Sequence, residues 1–308
     1  MIELDHLSKR YGTVMAIDDV SVTIGKGEFF AVIGPSGSGK STLLRMINRL
    51  IPWSAGSIRI NGEDIRRFRP EDLRRRMGYV IQSVGLFPHW TVERNVGTVL
   101  ELLGWPRAKI RDRVTELLIL LKLDPDRFRG KYPHQLSGGE QQRVGVARAL
   151  AASPDVLLMD EPFGALDPVT RGTLQTELAR IHRESGTTVI FVTHDMDEAL
   201  KLATRVAILD HGRLVQTGTP LELLTAPASG FVRDFVGRED YGIRLLSVEV
   251  VTSRLRAGET VPGEPIAASA SLREALSRMV MQGTDRLGVV DSDGRPLGAV
   301  YLADLARR

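Results

Sequence analysis

The chain has 308 residues, 43% hydrophobic and 26% charged, the balance of a soluble globular protein with room for one large domain and one small one. Its 41 basic and 38 acidic residues leave a net charge of +3, too slight to mark a nucleic-acid binder, whose basic residues concentrate on one face. With no cysteine there is neither a disulfide nor a thiolate metal site, and no apolar run approaches the roughly 20 residues of a membrane span.

Residues 1–5 lack a basic region followed by an apolar run, so no signal peptide is expected and any membrane role runs through partners. Ile2, Leu4, Val20, Val22 and Ile24 alternate with polar residues, which predicts antiparallel strands before a turn at Gly25-Lys26-Gly27. Tyr11 falls in a predicted turn, where its ring could stack on a base or cap the sheet.

The next stretch organises the chain. An apolar strand ends at Ile33, and Gly34-Pro35-Ser36-Gly37-Ser38-Gly39-Lys40-Ser41 fits the phosphate-binding P-loop, with Thr42 opening the helix behind it. Glycines let backbone N–H groups curl around an anion, and the helix N-terminus adds unpaired N–H groups and a positive dipole end. Lys40 is the mobile charge for β- and γ-phosphates, and the Ser41 hydroxyl is a ligand for Mg²⁺.

Residues 56–60 predict a strand and Asn61-Gly62 a hairpin turn; a buried strand over 77–81 ends at Gln82. Residues 92–153 read as helical, with Val114, Leu117, Leu118 and Leu121 at helical spacing. Leu136-Ser137-Gly138-Gly139-Glu140 opens a further helix, a second anion-binding N-terminus. One phosphate tail does not need two such sites, so the second is expected to face a nucleotide held by another copy of the chain.

Two continuous apolar runs, 156–159 and 189–192, fit interior parallel strands. The first ends in Asp160, placed as the acid that steadies Mg²⁺, and Glu161, a candidate general base for the attacking water. Gln82 and His194 also follow strand ends, where ligands of open α/β sheets sit, and complete a ring around a γ-phosphate. Glycine, proline and charge over 226–245 predict a connecting segment. Residues 246–308 predict a small α+β unit, with a helix over 272–281 and strands over 287–290 and 297–301. Its Asp291-Ser292-Asp293-Gly294 turn starts like a calcium loop, but Pro296 and Leu302 occupy positions that loop needs as glycine and glutamate.

Together these motifs resemble the ATP-binding subunits of ABC transporters. Tyr11 matches the adenine-stacking loop, Gly34 to Thr42 the Walker A motif, Gln82 the Q-loop, and Ser137 to Gly139 the signature. Asp160 and Glu161 match Walker B and the catalytic glutamate, Ala165-Leu166-Asp167 the D-loop, and His194 the switch histidine. The stretches 81–92 and 160–168 look like those of importers of glycine betaine, carnitine or choline, and 285–298 resembles one CBS motif, which would pair with its copy in a second subunit.

The resemblance implies an α/β P-loop fold over residues 1–225, with a RecA-like core, an antiparallel β subdomain and a helical subdomain at about 88–153. A linker at 226–245 and a CBS-like regulatory domain at 246–308 would follow. It implies ATP and Mg²⁺ as ligands, catalysis by Glu161, His194 and Gln82, and Mg²⁺ held by Ser41, Gln82 and Asp160. It implies a head-to-tail homodimer in which Ser137 to Gly139 serve the partner's ATP. Transmembrane permease subunits, an extracytoplasmic solute-binding protein and a place on the cytoplasmic face of the membrane complete the expectation, with no nucleic-acid partner. The alternatives are an importer of another small solute and a non-transport ABC ATPase.

Overall fold

Apolar residues at alternate positions build the first two strands, β1 (Ile2–Tyr11) and β2 (Val14–Ile24), which pair antiparallel with Ile2 opposite Ile24 and Tyr11 opposite Val14. The computed structural model describes residues 1–81, 85–164, 166–237 and 240–305, and these divide into two units, Met1–Thr217 and Gly218–Arg308.

In the first unit β3 (Phe29–Ile33), buried at every residue, feeds α1 (Lys40–Ile47). The hairpin of β4 (Ala55–Ile60) and β5 (Glu63–Asp64) turns at Asn61 and Gly62, both with positive φ as a two-residue type I′ turn requires. These strands form an antiparallel sheet in the order β2-β1-β4-β5. After α2 (Pro70–Arg75) and β6 (Met77–Val80) the chain turns helical, through α3 (Val92–Leu102), α4 (Arg107–Leu120), α5 (Pro125–Phe128) and α6 (Gly138–Leu150). The predicted positions Val114, Leu117, Leu118 and Leu121 are all buried.

Strand–helix alternation then resumes with β7 (Val156–Asp160), α7 (Pro168–Ser185), β8 (Thr188–Val192), α8 (Met196–Leu202), β9 (Arg205–Asp210) and β10 (Arg213–Gly218). The second sheet runs β10-β9-β3-β8-β7-β6, with β3, β6, β7, β8 and β9 paired in parallel. Strands β3, β7 and β8 are buried throughout, which is why they read as unbroken apolar runs. One core joins the two sheets. Leu43, Leu44, Met46 and Ile47 of α1 share it with Ile2, Leu4 and Leu7 of β1 and with Phe30, Leu158 and Val192 of the parallel sheet. The segment between β3 and α1 is therefore fixed at both ends by buried elements.

The second unit starts with α9 (Pro220–Thr225), α10 (Gly230–Val236) and α11 (Tyr241–Val248). Here the expected connecting segment at 226–245 contains α10 and the start of α11. Its breakers stand at helix ends: Ser229 caps α10 by accepting from Val232 N, Gly230 is the first helical residue, and Gly237 stops the helix at φ +90°. Then follow β11 (Arg256–Ala257), β12 (Ile266–Ala267), α12 (Leu272–Gln282), β13 (Arg286–Val290), β14 (Pro296–Tyr301) and α13 (Leu302–Leu305). The sheet order is β11-β14-β13-β12, and a separate core gathers Val251, Leu272, Met279, Leu287, Val289 and Val300.

Candidate nucleotide site

The loop from Gly34 to Gly39 is built so that backbone crowds backbone. Gly34 has φ +150°, and a Cβ there would lie 2.1 Å from Leu209 O and 2.7 Å from Ser38 Oγ. Gly39 has φ +99°, and a Cβ there would lie 2.4 Å from Ala16 O. Gly37, at φ +81°, faces open space. Ser38 N donates to Pro35 O at 3.2 Å, and Gly212 N donates to Ser38 O at 3.1 Å, which fastens the loop to the β9–β10 turn. Ser36 and Gly37 are exposed at its crest, and Ser38 is buried with no hydrogen-bond partner for its hydroxyl among the described residues. Lys40 is also buried, its Nζ donating to Gly34 O at 2.8 Å and Pro35 O at 2.9 Å. Burial lowers the Lys40 pKa, while the charges of Glu161 and Asp160 act the other way.

Beside the loop, Ser41 Oγ donates to Asp160 Oδ1 at 2.8 Å. The last residue of β7, Asp160, is 3% exposed. Glu161 leaves the strand at φ +47°, a left-handed conformation unusual for a glutamate, and its N–H donates to Val192 O at 3.0 Å. The turn brings Glu161 Oε1 to 3.5 Å from His194 Nδ1. His194 stands between β8 and α8 with its side chain exposed, and Asp195 next to it caps α8 by accepting from Asp197 N and Glu198 N. One strand away, burial and the nearby Asp160 charge raise the Tyr79 pKa, against a hydrogen bond from Arg45.

The fold thus gathers the P-loop, Asp160, Glu161 and His194 at the carboxyl ends of β3, β7 and β8. Two hard oxygens, a hydroxyl and a carboxylate, lie 2.8 Å apart at the start of a helix, which fits a hard divalent cation carried by a phosphate chain. Gln82 and Ala165 lie outside the described residues. Tyr11 ends β1 instead of lying in a turn; its ring is 48% exposed, with Lys9 Nζ 4.7 Å from its centroid.

Ser137, Gly138 and Gly139 stand apart, at the start of α6. Ser137 Oγ accepts from Glu140 N at 3.3 Å and Ser137 N donates to Glu140 Oε2 at 2.7 Å, a reciprocal cap. The Gly138 and Gly139 N–H groups occupy the first helical turn, where donors have no intrahelical acceptor. Among the described residues no hydrogen bond joins these three to the P-loop.

Two buried amides escaped the sequence reading. Asn95, fully buried on α3, accepts from Phe87 N and donates to the carbonyls of Phe87, Trp90 and Thr91, pinning the loop before the helix. Gln142, 2% exposed on α6, donates from Nε2 to Pro162 O at 2.8 Å. The available signal was position: each amide falls at helical spacing among apolar neighbours, Asn95 with Val92 and Val96, Gln142 with Val146 and Ala149.

Comparison with known proteins matches both parts of the chain to families. Residues 17–164 match the ABC transporter family model and residues 264–308 the CBS domain model. The chain is 55% identical to the glycine betaine uptake system ATP-binding protein YehX of Escherichia coli, over 99% of both chains. It is 48% identical to the glycine betaine/carnitine/choline transport ATP-binding protein OpuCA of Bacillus subtilis, over 94% of this chain and 76% of that one. Among solved structures it is similar to a dimeric post-hydrolysis ATP-binding cassette bound to ADP and Pi, with TM-score 0.66, 34% identity, and 71% of this chain and 98% of that one covered.

Proposed function

The chain belongs to the ATP-binding subunits of ABC transporters, and from that premise we propose that it hydrolyses ATP between two copies of itself to drive import of an osmoprotectant of the glycine betaine, carnitine or choline class. The cargo reading is supported by relatives named for those solutes whose match runs through the C-terminal unit as well as the cassette. The assignment is a cassette over 1–225, with its helical subdomain at about 88–153, and a CBS-like regulatory unit over 246–308.

One observation carries the mechanism: Ser41 hydrogen-bonds Asp160, and Glu161 turns out of the same strand end towards His194. Gly34 to Thr42 cradle the triphosphate, and Lys40 supplies positive charge at its β and γ groups. Ser41 and Asp160 would hold Mg²⁺, with Gln82 added by the family resemblance. When bound, Mg²⁺ offsets the negative charge that builds on the phosphates. Glu161 orients the attacking water and takes its proton, and His194, beside it, steadies the γ end. Tyr11 stacks on adenine. Ser137 to Gly139 of the second copy close the site by offering helix N-terminal N–H groups. Permease subunits and a solute-binding protein complete the importer, which places the chain on the cytoplasmic face of the membrane.

Glu161→Gln tests the chemistry. Turnover should fall by ~10²–10⁴, the range for loss of a general base, while titration shows ATP binding retained; normal turnover would remove Glu161 from the role. The cargo is tested with the reconstituted importer. Glycine betaine, carnitine or choline should stimulate its ATPase, and a complex deaf to all three would leave the ATPase reading standing and overturn the cargo.

A further inference from the structure

Helix α6 carries Ser137 to Gly139 at its N-terminus, and its side chains also grip the chain's own catalytic turn. Gln142 follows Ser137 by five residues, about 7 Å along the axis, and donates to Pro162 O at 2.8 Å. Its orientation is forced. A carbonyl can only accept, so the amide must present its NH₂ to Pro162, which leaves Oε1 buried with no hydrogen-bond partner among the described residues. A buried unpaired carbonyl is costly, and an apolar side chain of similar size would avoid that cost. The chain instead keeps a polar group on a face it shares with Gly145, Val146 and Ala149.

What that group holds is next to the strained residue. Pro162 follows Glu161, whose φ is +47° and whose N–H is tied to Val192 O on β8. The turn is therefore fastened to the parallel sheet at Glu161 and to α6 at Pro162. The far end of α6 reaches a second functional segment: Arg148 Nη1 donates to Gly85 O at 2.7 Å, directly after residues 82–84. A capped helix is stiff, so a displacement at Ser137 arrives at Pro162 through one hydrogen bond.

We propose that Gln142 is a positioning residue which couples the helix gripping the partner copy's nucleotide to the turn that carries this chain's own Glu161. It touches neither nucleotide. It makes alignment of each catalytic glutamate depend on occupation of the opposite site, so the two ATPs are hydrolysed cooperatively. The proposal rests on the reading that the site is shared between two copies.

The test compares Gln142→Met, which fills the space without a donor, and Gln142→Glu, which sets a carboxylate against the carbonyl. Both should lower kcat about tenfold, the scale of a slightly misplaced catalytic group, with ATP affinity by titration unchanged within about twofold. The Hill coefficient for ATP should fall from near two towards one, a change that mere loosening of the fold would not produce. Hydrogen exchange at the amides of Phe163 and Gly164, slowed by ATP and Mg²⁺ in the wild type, should lose that protection. Wild-type kcat and Hill coefficient in either folded variant would overturn the proposal. Ser137→Arg, run in parallel, separates the two readings. If it hydrolyses ATP normally, the shared site falls and the coupling with it; if it is inactive while the Gln142 variants match wild type, only the coupling falls.

Discussion

Gly34 and Gly37 lie in one loop, and substitution should separate them. At Gly34 an added Cβ meets the Leu209 carbonyl at 2.1 Å; Leu209 is held in the buried strand β9 and Gly34 directly follows the buried strand β3, so neither can yield. At Gly37 the added atom meets nothing within 4 Å among the described residues, and the cost is only the left-handed backbone, about 1–2 kcal/mol. Gly37→Ala should therefore melt a few degrees below wild type, at roughly 2–4 °C per kcal/mol. Gly34→Ala should melt at least twice as far below and lose nucleotide binding. Equal shifts by differential scanning fluorimetry would mean that the loop deforms more easily than its packing implies. These glycines were legible in the sequence because phosphate chemistry demands them at fixed spacing. Gln142 and Asn95 were not. A polar residue on an apolar helix face announces that it has partners, but the partner of Gln142 stands 20 residues away and is chosen by the tertiary fold.

Elements are joined by charge as well as by packing. Glu177 on α7 is nearly buried, accepts from Arg180 on its own helix at 3.0 Å and pairs with Lys122 Nζ at 2.8 Å, which draws the α4–α5 junction onto α7. The Lys122 bond, with help from Arg180, holds the Glu177 carboxyl below its usual 4.5 against the opposing effect of burial. A carboxyl with a lowered folded pKa binds its proton first in the unfolded chain. Its stabilisation is thus complete above pH 4.5 and is lost as pH falls through the folded value. Because Lys122 is largely exposed, its share is screened, and Glu177→Gln should cost about 1 kcal/mol at pH 7. Urea unfolding should show that gap narrowing below pH 4.5; a gap constant with pH would mean that the carboxylate charge contributes nothing. Elements themselves are legible where one signal dominates, an unbroken apolar run in β3, β7 and β8 and helical periodicity in α4. The helices within 226–245 are not legible in composition for a physical reason. Glycine breaks a helix from within and ends it from outside, and composition alone does not say on which side of the boundary Gly230 and Gly237 fall.

At the scale of the whole chain, the two units have separate cores, one built around α1 and the two larger sheets, the other around α12 and the small sheet. Cooperativity follows the core, because the side chains of one core lose their buried contacts together. Calorimetry should therefore resolve two transitions. In the proposed site ATP with Mg²⁺ would touch first-unit residues within one chain, and at about 100 times its Kd it should raise that unit's transition by the equivalent of roughly 2.7 kcal/mol. Leu287→Ala acts on the other unit. Leu287 is 3% exposed on β13, in the core with Val289 and Val300, and its truncation should cost about 2–5 kcal/mol. The expected result is a lowered second transition beside an unmoved, still nucleotide-responsive first one. If Leu287→Ala instead lowered the nucleotide-responsive transition by the same amount, the two cores would be unfolding as one. A second core that loosens while the first still answers to nucleotide is the independence that the shifted pair of transitions would measure.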